Sequence, residues 1–302
     1  MYCFQTLPRY EKNLKWTGIL LLILILLTLV SAIIILDRYN SRKEKVYTIA
    51  VPAPQSPADS TSIARGMHFV PVCQSCHSEV LEGKVFFEDP KIGKIYSPKI
   101  TRGKGGVGSN YTDKDLIRAI RHGINPKGNA LLIMPSADFS AMSQHDLYDL
   151  IAYLKHTPPL DNIIGENTIS FFTKVLLQLG AFGNAFHVED INHNAPYPVA
   201  PSAAVSNEYG AYLLEITGCK ACHGPELKGG KSPDPNSPYV PDIKGNGVIK
   251  TWSAEQFTIT LKTGMTPENK ELNDNFMPWK HTGQLPEQDL EAIYTYLMSI
   301  SN

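Results

Sequence analysis

Four of the five cysteines fall into two five-residue motifs, Cys73-Gln-Ser-Cys76-His77 and Cys219-Lys-Ala-Cys222-His223. This is the spacing of covalent haem attachment: two thiols form thioethers with the vinyl groups of one haem, and the imidazole that follows reaches the iron. A redox-active disulfide belongs near a β-α-β pattern, which is absent, and has no need of the histidine. A four-cysteine zinc site holds its pairs closer together than the 146 residues that separate them here. The expected chemistry is that of two haem c groups, with His77 and His223 as axial iron ligands. Cys3 lies outside both motifs and reads as an unpaired thiol on the cytoplasmic side.

An iron with one axial histidine needs a second strong ligand to be a simple one-electron carrier, and a Met thioether supplies it while raising the potential. Laying one motif over the other exposes an internal repeat with an offset between 141 and 146 residues. Tyr96-Ser-Pro98-Lys-Ile100 matches Tyr239-Val-Pro241-Asp-Ile243, and Met134-Pro135 matches Met277-Pro278. The paired position, the stiffening proline and the helix that follows single out Met134 and Met277 as sixth ligands. Met142 lacks a counterpart and Met298 falls inside a helix, so both read as packing. His68, His122, His145, His156 and His281 do not recur as histidines at the repeat offset, and solvent-facing positions are expected for them. Pro98 and Pro241 are candidates to offer a backbone carbonyl to the Nδ1–H of each axial histidine.

The elements that must position these residues are short helices. Thr112 with Asp115, and Ser253 with Gln256, are capping-box pairs, and Gly123 and Gly264 suit the C-caps. Amphipathic helices are predicted from Ser143 to His156 and from Pro286 to Ile300, with Leu147, Leu150, Ile151 and Leu154 in the first and Leu290, Ile293 and Leu297 in the second. In each copy a helix containing Gly66 or Gly210 is expected to cross the terminal helix. Tyr111 and Trp252 correspond and are expected at the haem edge.

No charged residue occurs from Trp16 to Leu36, and Ile19 to Leu27 is unbroken Ile and Leu. At about 1.5 Å per residue this helix spans the roughly 30 Å hydrocarbon layer. Its apolar core is longer than a signal peptide's, and no small-x-small cleavage site follows. Basic residues flank both ends, so charge does not orient the span; haem c is attached outside the cytoplasm, and that places the carboxyl-terminal bulk on the periplasmic side. Val51 to Ser62, rich in Pro, Ser and Ala, reads as an extended tether.

The net charge of −1 argues against nucleic acid. It conceals an asymmetry, since residues 60–160 carry 12 basic and 9 acidic residues while residues 206–302 carry 8 and 12. The acidic second half is expected to meet a basic partner. Between the repeats, Ile169 to Phe186 is strongly apolar but too short and broken to span a bilayer; it is expected to cover the two halves or to dock a partner subunit.

The order of C-x-x-C-H, Tyr-x-Pro-x-Ile, a glycine-rich loop at Gly103 to Gly108, Arg118-Ala-Ile-Arg121-His122-Gly123, Met134-Pro135 and a closing Leu-Tyr-x-Leu helix resembles class I cytochrome c domains. The glycine-rich loop lacks the Walker pattern of a nucleotide site. Over residues 60–302 the chain is similar to cytochrome subunits that accompany periplasmic dehydrogenases. Those commonly carry three haems, where this chain has two and an amino-terminal anchor.

The expected fold is mostly α: a cytoplasmic amino terminus (1–16), a transmembrane anchor (17–36), a tether (37–60), a first haem domain (61–160), a linker (161–205) and a second haem domain (206–302). The expected function is that of a non-catalytic electron carrier in a bacterial inner membrane, single-pass, serving redox partner proteins that are subunits of a larger membrane complex, between a redox enzyme and a respiratory or photosynthetic acceptor. Alternatives are a diheme peroxidase, which would need an open iron position, and the diheme subunit of a terminal oxidase.

Overall fold

The computed structural model describes residues 7–52, 59–232 and 237–300; Cys3 and the middle of the expected tether lie outside them. The chain is mostly helical. Helix α1 runs from Leu7 to Glu44, longer at both ends than the expected span. Its side chains are exposed from Asn13 to Ser31, partly covered at Ala32, Ile35 and Leu36, and buried at Tyr39. An apolar run exposed on all sides is a surface that a bilayer accommodates. Asn13–Glu44 is long and apolar enough to cross one.

In the first half, α2 (Ser60–Met67) and α3 (Val70–His77) precede a hairpin of β1 (Lys84–Asp89) and β2 (Gly93–Ser97). Then come α4 (Asp113–His122), the single turn α5 (Ser136–Phe139) and α6 (Gln144–His156). Thr112 and Asp115 close a capping box on α4, and Gly123 ends it at φ 67°, a left-handed conformation that glycine adopts without steric cost. Helix α2 lies across α6 at Gly66, where a β-carbon would collide with the Asp149 carbonyl.

The second half repeats this plan with α8 (Asn207–Ile216), α9 (Cys219–His223), α10 (Ala254–Thr263), the turn α11 (Trp279–Thr282) and α12 (Glu287–Ser299). Ser253 and Gln256 cap α10, and Gly264 ends it at φ 74°. Helix α8 crosses α12 at Gly210, against the Ala292 carbonyl. The two halves share detail down to single bonds. Gly83 N–H donates to the His77 carbonyl and Gly229 N–H to that of His223, at 2.9 and 2.7 Å, and Leu81 and Leu227 both adopt positive φ, 60° and 58°. One hydrophobic core runs through both, including Leu147, Leu150 and Ile151 from α6 and Leu213, Leu290 and Ile293 from α8 and α12.

The linker behaves differently from expectation. Strand β3 (Thr168–Ile169) adds to the edge of β2, and α7 (Phe171–Gln178) packs on α1 rather than across the halves. Tyr39, Leu177, Phe186 and Val188 form a second, smaller core with Ile124. Arg42 locks this contact, reaching Glu189 at 2.6 Å and Asn184 at 2.7 Å while lying over the Phe186 ring. The start of the tether is likewise held: Tyr47 N–H donates to the Gly128 carbonyl and Arg118 Nε to that of Ile49.

Candidate functional site

Helix α3 carries Cys73, Cys76 and His77 within one turn, so thiols and imidazole share a face. Pro71 sits in its first turn, where the missing N–H costs nothing. His77 is buried, and its Nδ1–H donates to the Pro98 carbonyl at 2.7 Å. In α9, Gly218 turns the chain at φ 77° into Cys219, and His223, also buried, donates from Nδ1 to the Pro241 carbonyl at 2.9 Å. A carbonyl only accepts, so each contact fixes the tautomer and leaves the Nε2 lone pair for a metal. Burial lowers both imidazole pKa values, although the same carbonyl bonds oppose it, and so favours the neutral, ligating form.

The four motif cysteines form no disulfide. Burial pushes Cys73 up to about 12, with Cys76 adding to the effect, and raises Cys219 and Cys222. A redox-active C-x-x-C pair works through a thiolate of depressed pKa, the opposite setting. Among the described residues the two cysteine pairs do not gather into one four-ligand cluster, which also disfavours structural zinc. Paired thiols beside a buried, oriented histidine are the donor set that covalent haem requires, so the residues present fit that group.

Met134 and Met277 are half-buried at the margin of the same core that receives Cys73, Cys219, Tyr111 and Trp252. Each is followed by an identical local turn, in which Ser136 N–H donates to the Met134 carbonyl and Trp279 N–H to the Met277 carbonyl, both at 2.7 Å. Met142 is fully buried in the core. His122, expected at the surface, is buried instead, with its Nδ1 3.0 Å from Nδ1 of His193 in the linker.

The two motif regions face each other across one interface, a juxtaposition that the sequence did not disclose. Helix α3 touches α11, the turn after Met277-Pro278, and α8, which leads into α9, touches α5, the turn after Met134-Pro135. Two acids at corresponding positions bridge the halves. Asp146 accepts from the Tyr212 hydroxyl, and His68 Nε2 lies 2.5 Å from Asp289 Oδ2. Local sequence marks both acids only as helix-start residues, because their partners are far away in the chain. Asp138 of α5 sits against the second motif; burial and then Glu215 raise its carboxyl to about 6, with Lys220 opposing.

Residues 208–301 match the family model for cytochrome c. Over 273 residues the chain is 29% identical to the fructose dehydrogenase cytochrome subunit of Gluconobacter japonicus, covering 82% of this chain and 54% of that protein. It is 27% identical to a diheme cytochrome c-type of Cereibacter sphaeroides, with 68% and 69% coverage. The gluconate 2-dehydrogenase cytochrome c subunit of Pantoea cypripedii is 26% identical, with 76% and 56% coverage. The chain thus spans about half the length of the two dehydrogenase subunits.

Proposed function

We propose, from the cytochrome c domain at residues 208–301 and from relatives that are cytochrome subunits, that the chain carries electrons through two haems c held by tandem modules, 61–160 and 206–302. The observation that carries this is the duplicated histidine setting: two C-x-x-C-H helices, each with its imidazole buried and clamped through Nδ1 by a carbonyl 18 to 21 residues onward. Bound haem supplies reversible one-electron chemistry at its iron. Cys73, Cys76, Cys219 and Cys222 tether the groups, and His77 and His223 ligate through Nε2. Met134 and Met277 would each add a thioether ligand, which supports a carrier rather than a peroxidase. The Pro98 and Pro241 carbonyls hold the rings and raise their basicity as ligands.

Because the motif of each half lies against the methionine-side turn of the other, the shared interface is the route for passing an electron within the chain. The fructose and gluconate dehydrogenase relatives support a dehydrogenase as donor and a non-catalytic role for this chain. Helix α1 anchors it in the inner membrane, with both modules on the periplasmic side where haem c is attached. The ligation is tested on the purified oxidised protein. The weak far-red band of Met-ligated ferric haem is expected at two haem equivalents, and Met134→Ala and Met277→Ala should each remove half of it. A high-spin spectrum in the unmodified protein would refute the carrier reading.

A further inference from the structure

Helix α7 is apolar on the side where a water-facing helix is polar. Leu177 points into the small core under α1 and the buried Thr173 hydroxyl donates to the Ile92 carbonyl, whereas Phe172, Leu176 and Leu179 fall on another face at spacings of four and three. Phe171, Phe172 and Leu179 are 49, 56 and 72% exposed, and the turn that follows adds exposed Phe182. Exposed apolar surface of this extent marks contact with something other than water.

Its position says what that is. Phe171 lines a groove with Leu27, Thr28, Ser31, Ala32 and Ile35 of α1, all within the uncharged run from Trp16 to Leu36. Leu27 lies about 12 Å along the helix from Ile35 toward the middle of that run. The Thr28 hydroxyl donates to the Ile25 carbonyl, so the groove does not need water for it. Polar groups begin where the apolar surface stops: Lys174 lies 5.3 Å from the Tyr39 ring centroid, and Arg42 pairs with Glu189. Helix α7 therefore runs alongside α1, with Phe171 at its deep end and Gln178 at its shallow end, where it accepts from Arg42; cations sit at headgroup level, with Phe171 and Phe172 below them.

We infer that α7 and the turn through Phe182 are embedded in the membrane leaflet beside α1, a second lipid contact that fixes how the first module stands over the bilayer. The inference rests on the reading of α1 as a membrane span. Lipid, rather than a soluble protein, is the occupant because the apolar face is continuous with the bare surface of α1 at hydrocarbon depth. A single helix joined by a tether leaves a module free to tilt. A helix packed along the span and held to it through Arg42 restricts that tilt and holds the first motif at a constant height.

The test uses the full haem-loaded chain in nanodiscs of phosphatidylethanolamine and phosphatidylglycerol, doped with a diazirine phospholipid, in a Cys3→Ser background. Single variants Phe172→Cys, Leu179→Cys, Ile23→Cys in the span and Ser202→Cys at an exposed linker position are labelled with a charged maleimide. The thiolate reacts and does not form in hydrocarbon, so positions 172 and 179 should label roughly tenfold or more slowly than 202 and resemble 23. Photolysis should place lipid adducts on residues 171–182. Fast labelling at 172 and 179 with slow labelling at 23 overturns the inference and leaves the anchor standing, whereas fast labelling at 23 overturns the anchor itself. Slow labelling without lipid adducts on residues 171–182 means that protein, such as a second copy, covers α7, and also overturns the inference.

Discussion

Substituting Gly210 by alanine sets two effects of opposite sign against each other. In a helix interior alanine is favoured over glycine by about 1 kcal/mol, and that alone would stabilise α8. The β-carbon would, however, meet the Ala292 carbonyl oxygen and carbon and the Tyr296 Cβ, where α8 crosses α12. Two of these atoms are backbone and cannot rotate away, so the helices must separate. Overpacking of this kind costs roughly 1 to 3 kcal/mol, and separation also loosens Leu213, Leu290 and Ile293, all buried at the crossing. The net expectation is a loss of about 1 to 2 kcal/mol, or a midpoint about 5 to 15 °C lower for a domain of this size. Thermal unfolding in detergent, followed by far-ultraviolet circular dichroism, reads it. Gly66→Ala, which meets the Asp149 carbonyl, should behave alike, whereas Gly18→Ala, inside α1 with open space around it, should cost no stability. A Gly210→Ala protein as stable as the parent, or more stable by the propensity term, would refute the close crossing.

Three further outcomes are expected. Asp138 has a folded pKa of about 6 against an ordinary value of 3.8, so its contribution to stability is complete below about pH 4 and is lost as pH rises through 6; Asp138→Asn should flatten the pH dependence of the unfolding midpoint in that window. Lys99 is fully buried, and its ammonium donates to the Lys104 and Leu160 carbonyls beside the glycine-rich loop; Lys99→Met should cost about 1 to 3 kcal/mol in denaturant unfolding. Neutralising Glu268, Glu271 and Asp274 together should slow association with a basic electron partner in stopped-flow at low salt, with the difference vanishing as the screening length falls below about 10 Å. A rate that stays unchanged at low salt would remove the acidic face from the account.

Helix ends were legible from sequence because their causes are local. Thr112 with Asp115, Ser253 with Gln256, and glycines 123 and 264 act within a single turn, and all take the expected places. The predicted helix from Ser143 appears with that residue as its N-cap. Contacts between distant segments were not legible. Asp146 looks like an ordinary cap-region acid until Tyr212 arrives from the other half, and His122 looks like a surface residue until the linker brings His193 to it. The acidic face is also less free than a charge count suggests, since Glu268 accepts from the Trp252 ring N–H at 2.9 Å and Asp274 lies 3.4 Å from Lys280. The apolar linker showed that it must be covered, but a one-dimensional pattern does not distinguish a neighbouring module from the side of α1.

Two covalent haems, one at each C-x-x-C-H helix, are expected on the chain. Purified protein, denatured and extracted with acidified organic solvent to strip any loosely held porphyrin, should retain two haems per polypeptide by pyridine haemochrome assay. Replacing Cys219 and Cys222 by alanine should leave one. Retention of none, or of a single haem in the unmodified chain, would contradict the account.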